Sequence, residues 1–264
     1  MAHRLLWSAV FCIFVLLRRG QLTTAAKLFF DRTKIGPLIL SSILIGTNWL
    51  SYIYALSQGK ALEAALAYFI CPLLSVALGA IFLRERISKQ HFLPLMLITV
   101  GVGMKMFETG GFPIMALIIG GSFSAYALNK KRLNLEPTQG MFAETVLLAG
   151  PAVAYLFFNS SSAALNISQL ALFISTGAVT VVPMVLFAAA LSTVSMRFVG
   201  MAQYIAPTLM FLVAVVVYGQ PVTLTAALSF IFIWSGIAFS VFGQKQGLTK
   251  ATSKFLAEPA FAES

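Results

Sequence analysis

The chain has 264 residues, 59% of them hydrophobic and 10% charged, with a mean hydropathy of +0.91. A soluble globular domain is about one quarter charged, so a soluble fold is excluded and the lipid bilayer is the expected partner. The net charge of +10 does not point to nucleic acid, because the basic residues form no stripe and sit in short connections between apolar runs.

The first apolar run, 5–17, is short, about 20 Å of helix against the roughly 30 Å of a bilayer's hydrocarbon core. Eight longer runs follow at 37–57, 61–83, 92–107, 112–128, 141–158, 170–192, 198–218 and 222–243. Each has the length and composition of a transmembrane helix or close to it. The pattern predicts an all-α membrane protein with nine transmembrane helices.

Orientation follows from the connections. Arg18, Arg19, Lys27, Arg32 and Lys34, then Arg84, Arg86 and Lys89, then Lys130, Lys131 and Arg132, then Arg197, and last Lys245, Lys250 and Lys254 all fall in alternate connections. Only Arg4, Lys60 and Lys105 fall on the other side, a bias of fifteen against three. By the positive-inside rule the N-terminus is extracytoplasmic and the C-terminus cytoplasmic. Cys12 and Cys71 lie inside apolar runs, where cysteine serves as a small core residue.

A shift of 135 residues without a gap lays 37–57 on 172–192, 61–83 on 196–218 and 92–107 on 227–242. Within that register Ile70, Cys71 and Pro72 fall on Ile205, Ala206 and Pro207, Leu74 on Leu209, Ile98 on Ile233 and Gly101 on Gly236. An odd number of spans separates the copies, so they are inverted, as in many secondary transporters that hold substrate near the midplane. The expected division is a first repeat of four helices at 1–107, a second of five at 112–243, and a cytoplasmic tail at 244–264. The run 5–17 maps onto 140–152, whereas 112–128 finds no mate, so the first repeat reads as one helix short.

Charge at the centre of a membrane helix costs about 2.5–3.5 kcal/mol on insertion scales, so polar groups at span depth are the first candidates for a substrate pathway. Glu63 and Glu144 qualify, although both stand near span ends, where the helix dipole or water also accommodates a carboxylate. Lys105, close to Glu108, reads as a helix-end pair. Asn48, Trp49 and Tyr52 share one arc of their helix, at i, i+1 and i+4. Tyr68 near Pro72, and Gln203 and Tyr204 near Pro207, occupy corresponding places in the two copies. Proline there removes a helix hydrogen bond and leaves a carbonyl free. Arg4 is a further candidate, able to attract an anionic group at the outer mouth. Phe82, Met104, Phe232 and Trp234 read as lipid-facing or core.

His3 and His91 stand at span ends, and no metal-binding, nucleophile-elbow or Walker spacing occurs. No enzyme, metal or cofactor is expected. Transport, if that is the function, is driven by a gradient of substrate or of a coupling ion.

Several motifs together resemble the EamA branch of the drug/metabolite transporter superfamily. They are His3-Arg4-Leu-Leu-Trp7-Ser8, Gly46-Thr-Asn48-Trp49-Leu, Leu62-Glu63-Ala-Ala-Leu-Ala-Tyr68-Phe-Ile-Cys-Pro72-Leu, Phe82-Leu-Arg-Glu85-Arg86, Gly140-Met-Phe-Ala-Glu144-Thr145 and Gln203-Tyr204-Ile-Ala-Pro207-Thr-Leu-Met-Phe. The resemblance implies ten helices in two inverted halves of five, cytoplasmic termini, and an inner-membrane permease or exporter for a small metabolite or drug. Two departures accompany it. The chain begins where the family's second helix begins, and Gln220 stands where the family often has glutamate. The rival expectation, from the unmatched run, is a truncated remnant or a structural subunit that does not transport.

Overall fold

The protein is described from a computed structural model covering residues 1–85, 89–108, 113–159, 166–217, 219 and 222–257. At 62, 89–91, 214 and 241–257 only the backbone is described. Gln220, the side chain of His91 and the side chains of the 244–264 tail therefore lie outside the described residues.

Regular structure among the described residues is entirely helical. In chain order the helices are α1 (Ala2–Arg18), α2 (Leu22–Lys27), α3 (Ile35–Ser57), α4 (Ala61–Phe82), α5 (Lys89–Glu108), α6 (Ile114–Leu133), α7 (Pro137–Asn159), α8 (Ile167–Thr193), α9 (Met196–Gln203), α10 (Ile205–Val216) and α11 (Leu224–Ala257). Eight of the nine apolar runs fall on single helices. The run 198–218 instead breaks between α9 and α10. Pro207 has no N–H for the Gln203 carbonyl, and the Tyr204 amide turns back to the Met201 carbonyl at 3.2 Å, a tight i−3 bond. The short α2, in the first basic connection, was not expected from the pattern.

Among the described residues five stretches, Ile35–Ser57, Glu63–Phe82, Pro137–Phe158, Ile167–Thr193 and Met196–Val213, are long and apolar enough to cross a membrane individually. The other helices lean on partners: α1 packs on α7 and α8, α6 on α3 and α4, and α5 on α11. Large apolar side chains such as Phe14, Leu50, Leu172, Val179, Leu186 and Trp234 stand exposed around the bundle. An apolar exterior of this extent suits lipid and not water.

The α5–α11 contact tests the 135-residue register directly. A Cβ placed on Gly101 would lie 2.6 Å from the Ser229 carbonyl oxygen and 2.8 Å from Ile233; one on Gly236 would lie 2.6 Å from the Pro94 carbonyl oxygen and 2.7 Å from Ile98. The shift exchanges these two sets of partners, so each glycine meets the mate of what the other meets. That reciprocity is what a two-fold relation between inverted copies produces. A second contact lies on the same relation, since the Tyr204 hydroxyl donates to the Phe69 carbonyl at 3.1 Å and position 69 shifts onto 204.

Alternate connections gather at the same end of the bundle, as the charge pattern predicts. At the basic end Lys131 donates to the Leu191 and Val194 carbonyls, Arg132 to the Phe82 carbonyl, and Arg19 to the Thr138 hydroxyl. Glu85 accepts from the Met196 and Arg197 amides at 2.9 and 3.2 Å. That carboxylate sits on the N-terminus of α9, where the helix dipole favours negative charge, which accounts physically for the Phe82-Leu-Arg-Glu85 motif. At the other end Glu63 bridges Lys60 and the Met115 amide, and Lys105 pairs with Glu108, which also accepts from Thr223.

Candidate functional site

A cavity of about 390 Å³ opens in the middle of the bundle. Its wall takes Arg4 from α1, Asn48, Trp49 and Tyr52 from α3, Ala67, Tyr68 and Cys71 from α4, Ile119, Gly120 and Phe123 from α6, Phe187 from α8, Gln203 from α9 and Ala206 from α10. The volume falls within the range of small-molecule sites, and the lining, mostly apolar with a few polar groups, is of the usual kind.

The arrangement follows from the sequence locally. On α3 the i, i+1, i+4 arc turns Asn48, Trp49 and Tyr52 to one side. Asn48 Nδ2 donates to the Ile119 carbonyl at 2.7 Å, which fixes α3 against α6 at the cavity wall. α6 comes close to α4 because position 120 is glycine: a Cβ there would lie 3.3 Å from both the Ala67 oxygen and the Cys71 nitrogen. One turn on, the Ser124 hydroxyl reaches the Cys71 and Gly120 carbonyls at 2.9 and 2.8 Å. Pro72 and Pro207 cannot donate to the carbonyls four residues earlier, which belong to Tyr68 and Gln203. Both prolines thus leave a helix hydrogen bond unmade at cavity positions.

Five of the lining residues carry aromatic rings, Trp49, Tyr52, Tyr68, Phe123 and Phe187. Tyr52 and Tyr68 meet edge to face with centroids 6.2 Å apart, and Phe123 lies 5.2 Å from Phe187. The Arg4 guanidinium stacks on Trp49 at 4.3 Å. Its Nε and Nη2 atoms, and Nε2 of Gln203, are buried without a hydrogen-bond partner.

Of the residues singled out from the sequence, the structure gathers Arg4, Asn48, Trp49, Tyr52, Tyr68 and Gln203 around this cavity and leaves three outside it. Glu63 joins the N-terminal ends of α4 and α6 through Lys60 and the Met115 amide. Tyr204 is buried on Phe69. Glu144 is 1% exposed, accepts from the Tyr126 hydroxyl at 3.0 Å and lies 3.1 Å from Lys130 Nζ. The Lys130 contact satisfies charge pairing while lying off the hydrogen-bond direction of Oε1.

Phe123 and Phe187 carry no polarity or proline that marks them in the sequence as cavity residues. The repeat held the signal for the second, because Tyr52 shifts onto Phe187 just as Tyr68 shifts onto Gln203 and Cys71 onto Ala206. Phe123 lies in the run without a mate and carried no such signal. No three His, Cys, Asp or Glu residues gather to hold a metal among the described residues.

Residues 1–106 match the EamA-like transporter family. The chain is 37% identical to protein RarD of Escherichia coli over 246 residues, covering 91% of this chain and 83% of that one. It is 35% identical over 253 residues to an uncharacterized transporter of Vibrio cholerae, covering 94% and 84%. The chain is a RarD-like member of the EamA family. The family lies in the drug/metabolite transporter superfamily, so membership makes this a multi-pass membrane protein of a transporter family. One solved crystal structure superposes with a TM-score of 0.69 at 20% identity, covering 91% of this chain and 86% of that chain, and supports the fold alone.

Proposed function

We propose that this EamA-family chain is a secondary transporter of the inner membrane, a permease or exporter that moves a small metabolite or drug through the central cavity. Its two inverted halves, 1–107 and 112–243, alternate in opening the cavity to either side, with the C-terminal tail cytoplasmic. The observation that carries this reading is the pairing of cavity residues by the 135-residue shift, Tyr52 with Phe187, Tyr68 with Gln203 and Cys71 with Ala206. A site built from equivalent places in two inverted copies can be offered to each side by equivalent movements. The prolines following Tyr68 and Gln203 supply backbone that can bend there. Energy comes from a substrate or coupling-ion gradient, in keeping with a sequence without a Walker motif.

Ala206→Trp tests the cavity, because an indole at that wall fills the space a substrate needs. Metabolite pools inside and outside cells producing the wild-type chain should differ several-fold, for at least one small molecule, from those of cells without it. Cells producing Ala206→Trp at equal membrane abundance should match the cells without the protein. Identical pools in all three would contradict a transport role.

A further inference from the structure

The cavity wall carries one charge and a surplus of donors. Arg4 is the only residue charged at pH 7 among the described lining residues, and no acidic residue is among them. Nearby carboxylates are engaged elsewhere, Glu63 with Lys60 and the Met115 amide, and Glu144 with Lys130 and Tyr126. Arg4 has neither an ion pair nor a hydrogen bond among the described residues, and its buried Nε and Nη2 stand free together with Gln203 Nε2.

Buried donors without acceptors are rare in folded proteins and costly, so a site with three of them is matched by a ligand that brings acceptors. Nε and Nη2 form one edge of the guanidinium plane, the pair that grips both oxygens of a carboxylate side by side. Stacking on Trp49 holds that plane in place before any ligand arrives. A single positive charge in a low-dielectric cavity balances a monoanion. A doubly charged phosphate would leave one charge buried and uncompensated, which is strongly unfavourable. The rest of the wall, Tyr52, Tyr68, Phe123 and Phe187, offers ring faces and edges to an apolar body.

We infer that the cavity binds a small organic carboxylate with a ring-sized apolar body, its carboxylate held by Nε and Nη2 of Arg4. This rests on the proposed transport cavity and specifies its substrate class.

The test is equilibrium binding to the purified full chain in detergent, at a mildly alkaline pH that makes benzylphosphonate a dianion and leaves phenethylamine a cation, with phenylacetate, its neutral isostere 2-phenylacetamide, phenethylamine and benzylphosphonate as probes. Phenylacetate should bind at least about tenfold tighter than each of the others, in line with a charge-assisted bidentate contact. Arg4→Gln should bring phenylacetate down to about the level of the amide. Equal binding of phenylacetate and phenylacetamide by the wild-type chain would overturn the assignment without any variant, as would absence of binding by all four probes. So would a preference for the amine or the phosphonate, or phenylacetate binding that survives Arg4→Gln. Binding in detergent requires no transport, so a phenylacetate preference without movement across vesicles would count against the transport reading alone.

Discussion

Replacing Lys130 with methionine is expected to cost about 3–5 kcal/mol of stability, the usual effect of leaving one member of a buried ion pair alone. Lys130 and Glu144 have side chains only 7% and 1% exposed, and Glu144 has no other cation in reach among the described ion pairs. Tyr126, fully buried, donates to the second carboxylate oxygen and lies beneath the ammonium group, 5.7 Å from ring centre to Nζ. α6 and α7 are thereby joined near their connection at the basic end. The position is crowded too, since a Cβ on Gly140 would lie 2.9 Å from Lys130 Nζ. Glu144→Leu should be comparably damaging, because it strands the ammonium. The double variant Lys130→Met with Glu144→Leu should recover most of the loss, since two apolar chains bury without an uncompensated charge. Thermal unfolding in detergent measures all three; a double variant that melts no higher than the worse single one would contradict a paired role.

The second large effect concerns the crossing of α5 and α11. Gly101→Val and Gly236→Val should each destabilise the bundle by about 1–3 kcal/mol, the range seen when a packed interior is overfilled. The obstruction is backbone: the Ser229 oxygen for one and the Pro94 oxygen for the other, both 2.6 Å from the added Cβ. A carbonyl cannot swing aside as a side chain can, so the helices must separate. Because the two contacts are mates under the repeat, the two losses should be similar. Gly103→Val is the control, as its Cβ would meet nothing within 4 Å. Membrane abundance and melting temperature of the three variants check the claim, and a Gly103 variant as damaged as the others would refute it.

Much of this bundle was legible because hydrocarbon imposes one rule on every span. Runs of apolar residues became helices, and the alternation of basic connections became two chemically distinct ends. The 135-residue register became reciprocal glycine contacts between α5 and α11. The cavity was legible where polarity or a proline marked it, at Arg4, Asn48, Tyr68 and Gln203.

It was less legible where charge alone was the guide. Glu63 and Glu144 look alike in sequence as carboxylates near span ends, yet each is consumed by a partner the chain brings from elsewhere. Lys130 reads as a cytoplasmic flank like Lys131 and Arg132. A basic residue that turns inward differs from one that snorkels only through its position on α6 relative to Glu144, which depends on how the α6–α7 hairpin closes. Phe123 and Phe187 are ordinary apolar residues of their spans until seven helices assemble around them.

Alternating access requires the cavity to open to both sides of the membrane, which site-directed thiol labelling can detect. Cys12 and Cys71 are the only cysteines of the chain, so Cys12→Ala with Cys71→Ala clears the background, and Ala206→Cys places one small thiol on the cavity wall. An anionic, membrane-impermeant reagent, sulfonatoethyl methanethiosulfonate, is applied to right-side-out and to inside-out vesicles. Labelling from both faces, prevented in each case by Ala67→Trp, which fills space in the same cavity, is the result expected of alternating access. Labelling from one face only, or from neither, would contradict it.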